Sequence, residues 1–104
     1  SGAENIYPAE VESAVYGHPA VAEVAVIGVP DDRWGEAVKA VVALKPGAAP
    51  DPEGIIAFAR TRIAAFKAPK SIDFIAALPR NASGKILRRE LREPYWAGRE
   101  RRVN

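Results

Sequence analysis

The chain has no cysteine and no methionine, and a single histidine among its 104 residues. Without a thiol there is no disulfide scaffold, no cysteine nucleophile and no thiolate metal site, and one imidazole does not build a histidine-rich one. Resident metal and thiol chemistry are therefore not expected. With no methionine anywhere, Ser1 is expected to be a cut within a longer chain or a processed end. No apolar run approaches the ~20 residues of a membrane span, the longest lying around residues 24–29, and no basic segment followed by an apolar one opens the chain. A cytoplasmic domain is the expectation.

What is present is ordinary for a folded domain: 48% hydrophobic and 27% charged residues, enough for one compact core and not two. The net charge of +2 conceals an asymmetry. Residues 1–79 hold 7 Lys/Arg against 10 Asp/Glu and residues 80–104 hold 8 against 3, so the two parts carry −3 and +5. A basic end of this kind suits a polyphosphate, a nucleic acid or an acidic protein surface.

Periodicity predicts an α+β domain, a small three-stranded sheet covered by helices. Residues 1–7 form a small, polar lead-in whose backbone N–H groups are open to a ligand, or simply a frayed terminus. A helix is expected over 8–16, with Pro8 in its first turn, Val11, Ala14 and Val15 on one face, and Gly17 and Pro19 to stop it. The apolar, β-branched run 21–29 predicts a strand covered on both faces, and 37–44 a second, joined antiparallel through a wide polar loop over 30–36. Asp51 caps the next helix, which has Pro52 in its first turn, and Ile55, Ile56, Ala59, Ile63 and Phe66 recur at helical spacing. A third strand is expected over 72–78, a loop over 79–85, and a short helix over 86–93 stopped by Pro94. Residues 98–104 have little to bury and are expected to be a mobile basic tail.

The chemically informative segment is the loop ending in Gly84-Lys85, because a lysine just after a glycine has reach and three donors for phosphate or carboxylate oxygens. It is not a nucleotide-binding P-loop: the position five before Gly84 is Pro79, not glycine, and Ile86 follows the lysine in place of Ser or Thr. On composition alone a loop lysine is most simply solvated. His18 has neither an acid partner nor a second ligand in view and is expected to be structural or solvated. Glu10 and Glu12 most simply serve the dipole of their helix, and Arg88, Arg89 and Arg92 either line an interface or form a solvated basic face.

Three collinear motifs go further: Ser1-Gly2-Ala3-Glu4-Asn5-Ile6-Tyr7-Pro8-Ala9-Glu10-Val11-Glu12, Val26-Ile27-Gly28-Val29-Pro30-Asp31, and Leu78-Pro79-Arg80-Asn81-Ala82-Ser83-Gly84-Lys85-Ile86-Leu87-Arg88-Arg89. In this order the chain resembles the small C-terminal domain of the adenylate-forming enzymes, which include acyl-CoA synthetases, peptide-synthetase adenylation domains and firefly-type luciferases. The resemblance covers nearly the whole chain, with residues 1–97 as the domain. The ending Arg92-Glu93-Pro94-Tyr95-Trp96-Ala97-Gly98 is most similar to bacterial fatty-acyl-CoA ligases.

The resemblance implies a two-step reaction with ATP and CoA, in which a carboxylic acid, here a fatty acid, becomes an acyl-adenylate and then a thioester. It implies that Lys85 contacts the reacting carboxylate and phosphate oxygens in the first step. A hinge rotation then presents Gly2, Ala3 and Glu4 beside the pantetheine channel. Family members usually carry glycine where this chain has Ala3, whose methyl group disfavours positive φ. Trp34, Phe66 and Lys70 match positions that meet the nucleotide end of CoA in some relatives; against that, Phe66 also fits the apolar stripe of its helix and Trp34 a cover for the hairpin. The partner implied is the enzyme's own large N-terminal domain, which would hold the acyl pocket, the ATP motifs and the Mg2+; the small domain alone would be inactive. Two rivals follow: an adenylation domain that loads a carrier protein, and a nucleic-acid-binding module built on the basic end and Trp96. The second lacks a stripe of aromatics interleaved with basic residues.

Overall fold

A computed structural model of the chain describes residues 7–99. Helix α1 (Pro8–Tyr16) begins where Pro8 presets φ in the first turn, and it buries Val11, Ala14 and Val15 as their spacing predicts. Strands β1 (Val21–Asp31) and β2 (Gly35–Leu44) pair antiparallel, with Val26 opposite Ala40. Their connection is tighter than the wide loop that its polar composition predicts, because the ladder runs on to the pair Asp31 and Gly35. Asp31 Oδ1 accepts the N–H groups of Arg33 and Trp34, each at 2.9 Å, and Gly35 takes a φ of +83° to return the chain.

Helix α2 (Pro52–Arg60) is capped as expected, Gly54 N–H donating to Asp51 Oδ1 at 3.1 Å. It stops short of the apolar spacing. The Thr61 hydroxyl donates to the Phe58 carbonyl at 2.6 Å, and Ala64 turns extended before a separate 3-10 turn, Ala65–Lys67. Phe66 therefore leaves the stripe and stands 62% exposed. Strand β3 (Ser71–Phe74) runs parallel to β2 in the order β1-β2-β3. The expected strand over 72–78 is shorter in the fold: after Ile75 N–H bonds the Val42 carbonyl at 2.9 Å, the chain leaves the ladder so that Ile75 and Leu78 can pack against Leu91.

Helix α3 (Arg88–Trp96) begins two residues later than expected, because Ile86 is bridged to Arg80, and it contains Pro94 instead of ending before it. In the final turn the missing proline N–H forfeits one bond, and Ala97 N–H still closes on Glu93 at 3.0 Å. None of the helices among the described residues is long and apolar enough to cross a membrane.

The near-continuous apolar character of β1 and β2 follows from burial of both sheet faces. Val24, Val26, Val38, Ala40 and Val42 face the layer of α1 and α2, with Val11, Val15 and Ile55. Ala25, Ile27, Val29 and Val41 face α3 through Leu91. That arrangement leaves the outer edge of β1 without a neighbouring strand among the described residues, and side chains pair it instead. Glu12 Oε2 accepts the Val26 N–H at 2.8 Å and the Arg88 guanidinium at 2.5 Å, and the Trp96 indole N–H donates to the Gly28 carbonyl at 3.0 Å. The bare Cα of Gly28 makes room for Glu36, which crosses over it to reach Arg92 at 3.4 Å; a Cβ at position 28 would lie 2.1 Å from Glu36 Oε2. Glu12 thus does more than serve its helix dipole, and Arg88 and Arg92 are half-buried ties to the sheet, neither a freely solvated face nor a surface left open for an interface.

A second tie fixes α3 to the sheet centre. The Tyr95 hydroxyl donates to Asp73, Asp73 pairs with Lys39 at 3.1 Å, and the Lys39 ammonium sits 5.3 Å from the Tyr95 ring centroid. Burial pushes the Asp73 carboxyl up, but the bonds from Tyr95 and Lys39 and the lysine charge outweigh it, so it titrates below its ordinary value. Burial and the neighbouring carboxylate push the Tyr95 phenol up to about 12.

Two outcomes follow. Gly28→Ala should destabilise the fold by ~1–3 kcal/mol in chemical unfolding, since either the new methyl or Glu36 must move; an unchanged midpoint would show that Glu36 relocates freely. Because the folded phenol holds its proton above the ordinary value of 10.0, its contribution is whole below that pH and is lost as pH rises through about 12. Tyr95→Phe should flatten the alkaline limb of stability, and a wild-type limb no steeper than the variant's would contradict the coupling.

Candidate functional site

Lys85 sits at the end of a hairpin tip that hydrogen bonds hold at almost every position. Arg80 and Ile86 bridge antiparallel, Asn81 N–H donates to the Lys85 carbonyl and Leu87 N–H to the Pro79 carbonyl, both at 2.9 Å. Inside the turn, Gly84 N–H donates to the Asn81 carbonyl at 2.9 Å. The Asn81 side-chain oxygen accepts the N–H of Ser83 at 3.0 Å, the hydroxyl of Ser83 at 2.9 Å and the N–H of Lys85 at 2.9 Å. Gly84 has a φ of +88°, which an L side chain resists. The segment that composition marks as a loop is thus a preorganised turn.

A second layer holds the turn to the sheet. Arg80 Nη1 donates to the Gly84 carbonyl at 2.7 Å and Nη2 to Glu23 Oε2 at 3.2 Å, while Glu23 Oε1 accepts the Leu78 N–H at 3.3 Å. The Lys85 side chain is exposed, and among the described residues no side chain pairs with its ammonium. A fixed backbone carrying a free cation is what a group delivered to an anionic site requires.

The other expected contacts lie elsewhere. Trp34 occupies the hairpin tip, 47% exposed, with the Arg33 guanidinium 5.1 Å from its ring centroid. Lys70 is exposed at a groove of about 480 Å³ beside the hairpin root, lined by Pro30, Asp31, Lys39, Tyr95 and Arg99. Phe66 projects from the 3-10 turn with Lys67 Nζ 5.8 Å from its ring centroid. Lys70 thus lies near the hairpin, but none of the contacts among the described residues joins Trp34, Phe66 and Lys70 to one another. Glu23, which anchors the lysine turn, and Asp31, which shapes the hairpin, are eight residues apart on β1, or ~26 Å at strand rise, so Lys85 and Trp34 belong to opposite ends of the sheet. Gly2, Ala3 and Glu4 lie outside the described residues, as do residues 100–104 of the basic tail. His18 is structural: its Nδ1 accepts the Ala20 N–H at 3.1 Å and its ring meets Phe58 edge-on at 5.2 Å.

Composition and periodicity give no role to Glu23, Arg80 or Asn81. The signal for Asn81 was local, an Asx residue opening a Ser-Gly turn. Glu23 left only a charge inside an apolar strand run, its partner 57 residues away.

Comparison with known proteins agrees with this fold. The family model described as AMP-binding enzyme C-terminal domain matches residues 10–85. A fatty acid–[acyl-carrier-protein] ligase of Streptomyces coeruleorubidus is 52% identical over 97% of this chain and 20% of its own length. A feruloyl-CoA synthase of an Amycolatopsis species is 54% identical over 91% of this chain and 19% of its own. Among solved structures, a Mycobacterium tuberculosis fatty acyl CoA synthetase superposes with a TM-score of 0.83 at 48% identity, covering 93% of this chain and 19% of that one. The chain spans about a fifth of the length of the curated relatives it matches.

Asn81→Ala removes the acceptor shared by three donors, and the Lys85 amide should exchange with solvent ~10-fold faster or more, with the sheet amides unchanged. Equal protection in variant and wild type would show that the turn holds without its asparagine.

Proposed function

This chain belongs to the AMP-binding enzyme C-terminal domain family, and from that membership we propose that it is the mobile small domain of a cytoplasmic AMP-forming acyl-CoA ligase acting on a fatty acid. In the first half-reaction a carboxylate oxygen attacks the α-phosphorus of ATP and pyrophosphate leaves. In the second, the CoA sulfur attacks the acyl carbon and AMP leaves. The large N-terminal domain, with the acyl pocket and the Mg2+-bound nucleotide, is the partner that this domain closes on.

The observation that carries this reading is the exposed Lys85 ammonium, without a side-chain partner among the described residues, on a hydrogen-bonded turn. Carboxylate and triphosphate repel as they approach, and negative charge builds on the α-phosphate oxygens as the new bond forms. A cation held in place before the reaction offsets both without reorganisation, and removing one such contact costs ~100- to 1,000-fold in rate. The ~26 Å from Glu23 to Asp31 along β1 suits a domain that shows one end to the acid and another to the thiol. Trp34, exposed beside a cationic Arg33, and Lys70 at its basic groove support contact with the nucleotide end of CoA. Phe66, exposed on its 3-10 turn, is a further apolar contact there. Gly2, Ala3 and Glu4 would border the pantetheine path.

A second reading has one observation in its favour: the Streptomyces relative is named for an acyl-carrier-protein acceptor. The same lysine chemistry then loads a carrier-borne thiol, and the exposed hairpin tip meets a protein surface. Turnover of the intact enzyme with free CoA against carrier protein separates the two.

In the full-length enzyme, Lys85→Ala should reduce acid-dependent ATP–pyrophosphate exchange by ~100-fold or more. Thioester formation from supplied acyl-adenylate should stay within about 3-fold of wild type. Equal loss in both half-reactions would contradict the assigned role.

A further inference from the structure

The Glu23–Arg80 ion pair is not explained by stability. Its side chains are 33% and 41% exposed, and a pair in that setting adds little to stability. Arg80 also borders an open groove of about 540 Å³ with Tyr16 and Val24, so its guanidinium does not seal the core. What distinguishes it is where its two ends go. One terminal nitrogen holds Glu23 on β1 and the other holds the carbonyl of Gly84. That carbonyl belongs to the peptide unit that joins Gly84 to Lys85. The N–H of the same unit is bound by the Asn81 side chain. One peptide plane is therefore gripped at both poles, from inside the turn by Asn81 and from the sheet by Arg80, and its orientation sets the direction in which the Lys85 side chain leaves the backbone. Glu23 closes the frame, because its second oxygen takes the Leu78 N–H at the root of the hairpin.

We propose that Glu23 and Arg80 form a positioning clamp that aims Lys85 for the adenylation step. The inference rests on the assignment of Lys85 to that step and adds two residues that touch neither substrate. A planar guanidinium spans both partners at once, which a single ammonium on a flexible stem does not reproduce. The clamp also gives the strand a defined part in the chemistry: any shift of β1 near Glu23 is carried through two hydrogen bonds to the peptide preceding Lys85.

The test uses the full-length enzyme carrying Arg80→Ala, Glu23→Gln, the double variant, Arg80→Lys and, in parallel, Lys85→Ala. Arg80→Ala and Glu23→Gln should each lower the maximal rate of adenylation by ~10- to 100-fold, as expected for a misaimed group. KM for ATP and acid and the rate of thioester formation from supplied acyl-adenylate should stay within about 3-fold. The double variant should be no slower than the slower single, and Arg80→Lys should recover part of the rate, with thermal midpoints of all variants close to wild type. Adenylation unchanged in Arg80→Ala while Lys85→Ala abolishes it would overturn the clamp and leave the lysine assignment standing. Adenylation unaffected by Lys85→Ala would overturn the assignment beneath it. Parallel loss of both half-reactions, or fully multiplicative effects in the double variant, would also overturn the clamp.

Discussion

An edge strand buried on both faces still carries one row of backbone N–H and C=O groups that no neighbouring strand pairs, and the way β1 meets that constraint organises the rest of this domain. α1 sends Glu12 to the Val26 N–H, and α3 sends Trp96 to the Gly28 carbonyl. Glu12 and Glu36 then bind Arg88 and Arg92, so the side chains that cover the edge also fix α3 against it. At one end of the same strand Glu23 reaches the lysine turn, and at the other Asp31 folds the hairpin tip that displays Trp34. One strand is thus both the sheet's edge and the ruler that keeps two candidate sites apart.

That arrangement reconciles two demands that the proposed adenylation role places on Lys85. Its side chain must remain free of partners until it meets the reacting oxygens, yet its backbone must not wander, because freedom at the turn would dilute the correctly aimed state. The turn keeps Lys85 exposed and spends its hydrogen bonds on the backbone. The positive balance of residues 80–104 places the whole segment in a favourable field for an anionic nucleotide, while half-buried Arg88 and Arg92 are already committed to the sheet edge. Arg88 and Arg92 hold the fold; in the proposed scheme Arg80 aims the turn and Lys85 acts.

Legibility from sequence followed the range of each interaction. Pro8, Asp51 and the spacing of Val11, Ala14 and Val15 are local signals, and the elements they predict are present. The apolar run of β1 correctly implied burial on both faces. Errors arose where a tertiary partner or a competing bond decided. Asp31 drew the hairpin tight by taking two N–H groups, Thr61 ended α2 before Phe66 could join its stripe, and the bridge from Arg80 to Ile86 delayed α3. Pro94 fits inside a helix because it falls in the last turn, where its cost is one bond. The motif around Lys85 is local, but the frame that holds its turn joins residues up to 57 positions apart, and periodicity does not encode that pairing.

In the proposed reaction Lys85 enters the reacting site as a preaimed cation. A crystal structure of the full-length enzyme with a non-hydrolysable acyl-adenylate analogue, trapped in the closed first-step arrangement, decides it. Lys85 Nζ should lie within about 3 Å of an acyl or phosphate oxygen. An ammonium pointing into bulk solvent in that structure would rule out the role assigned to it.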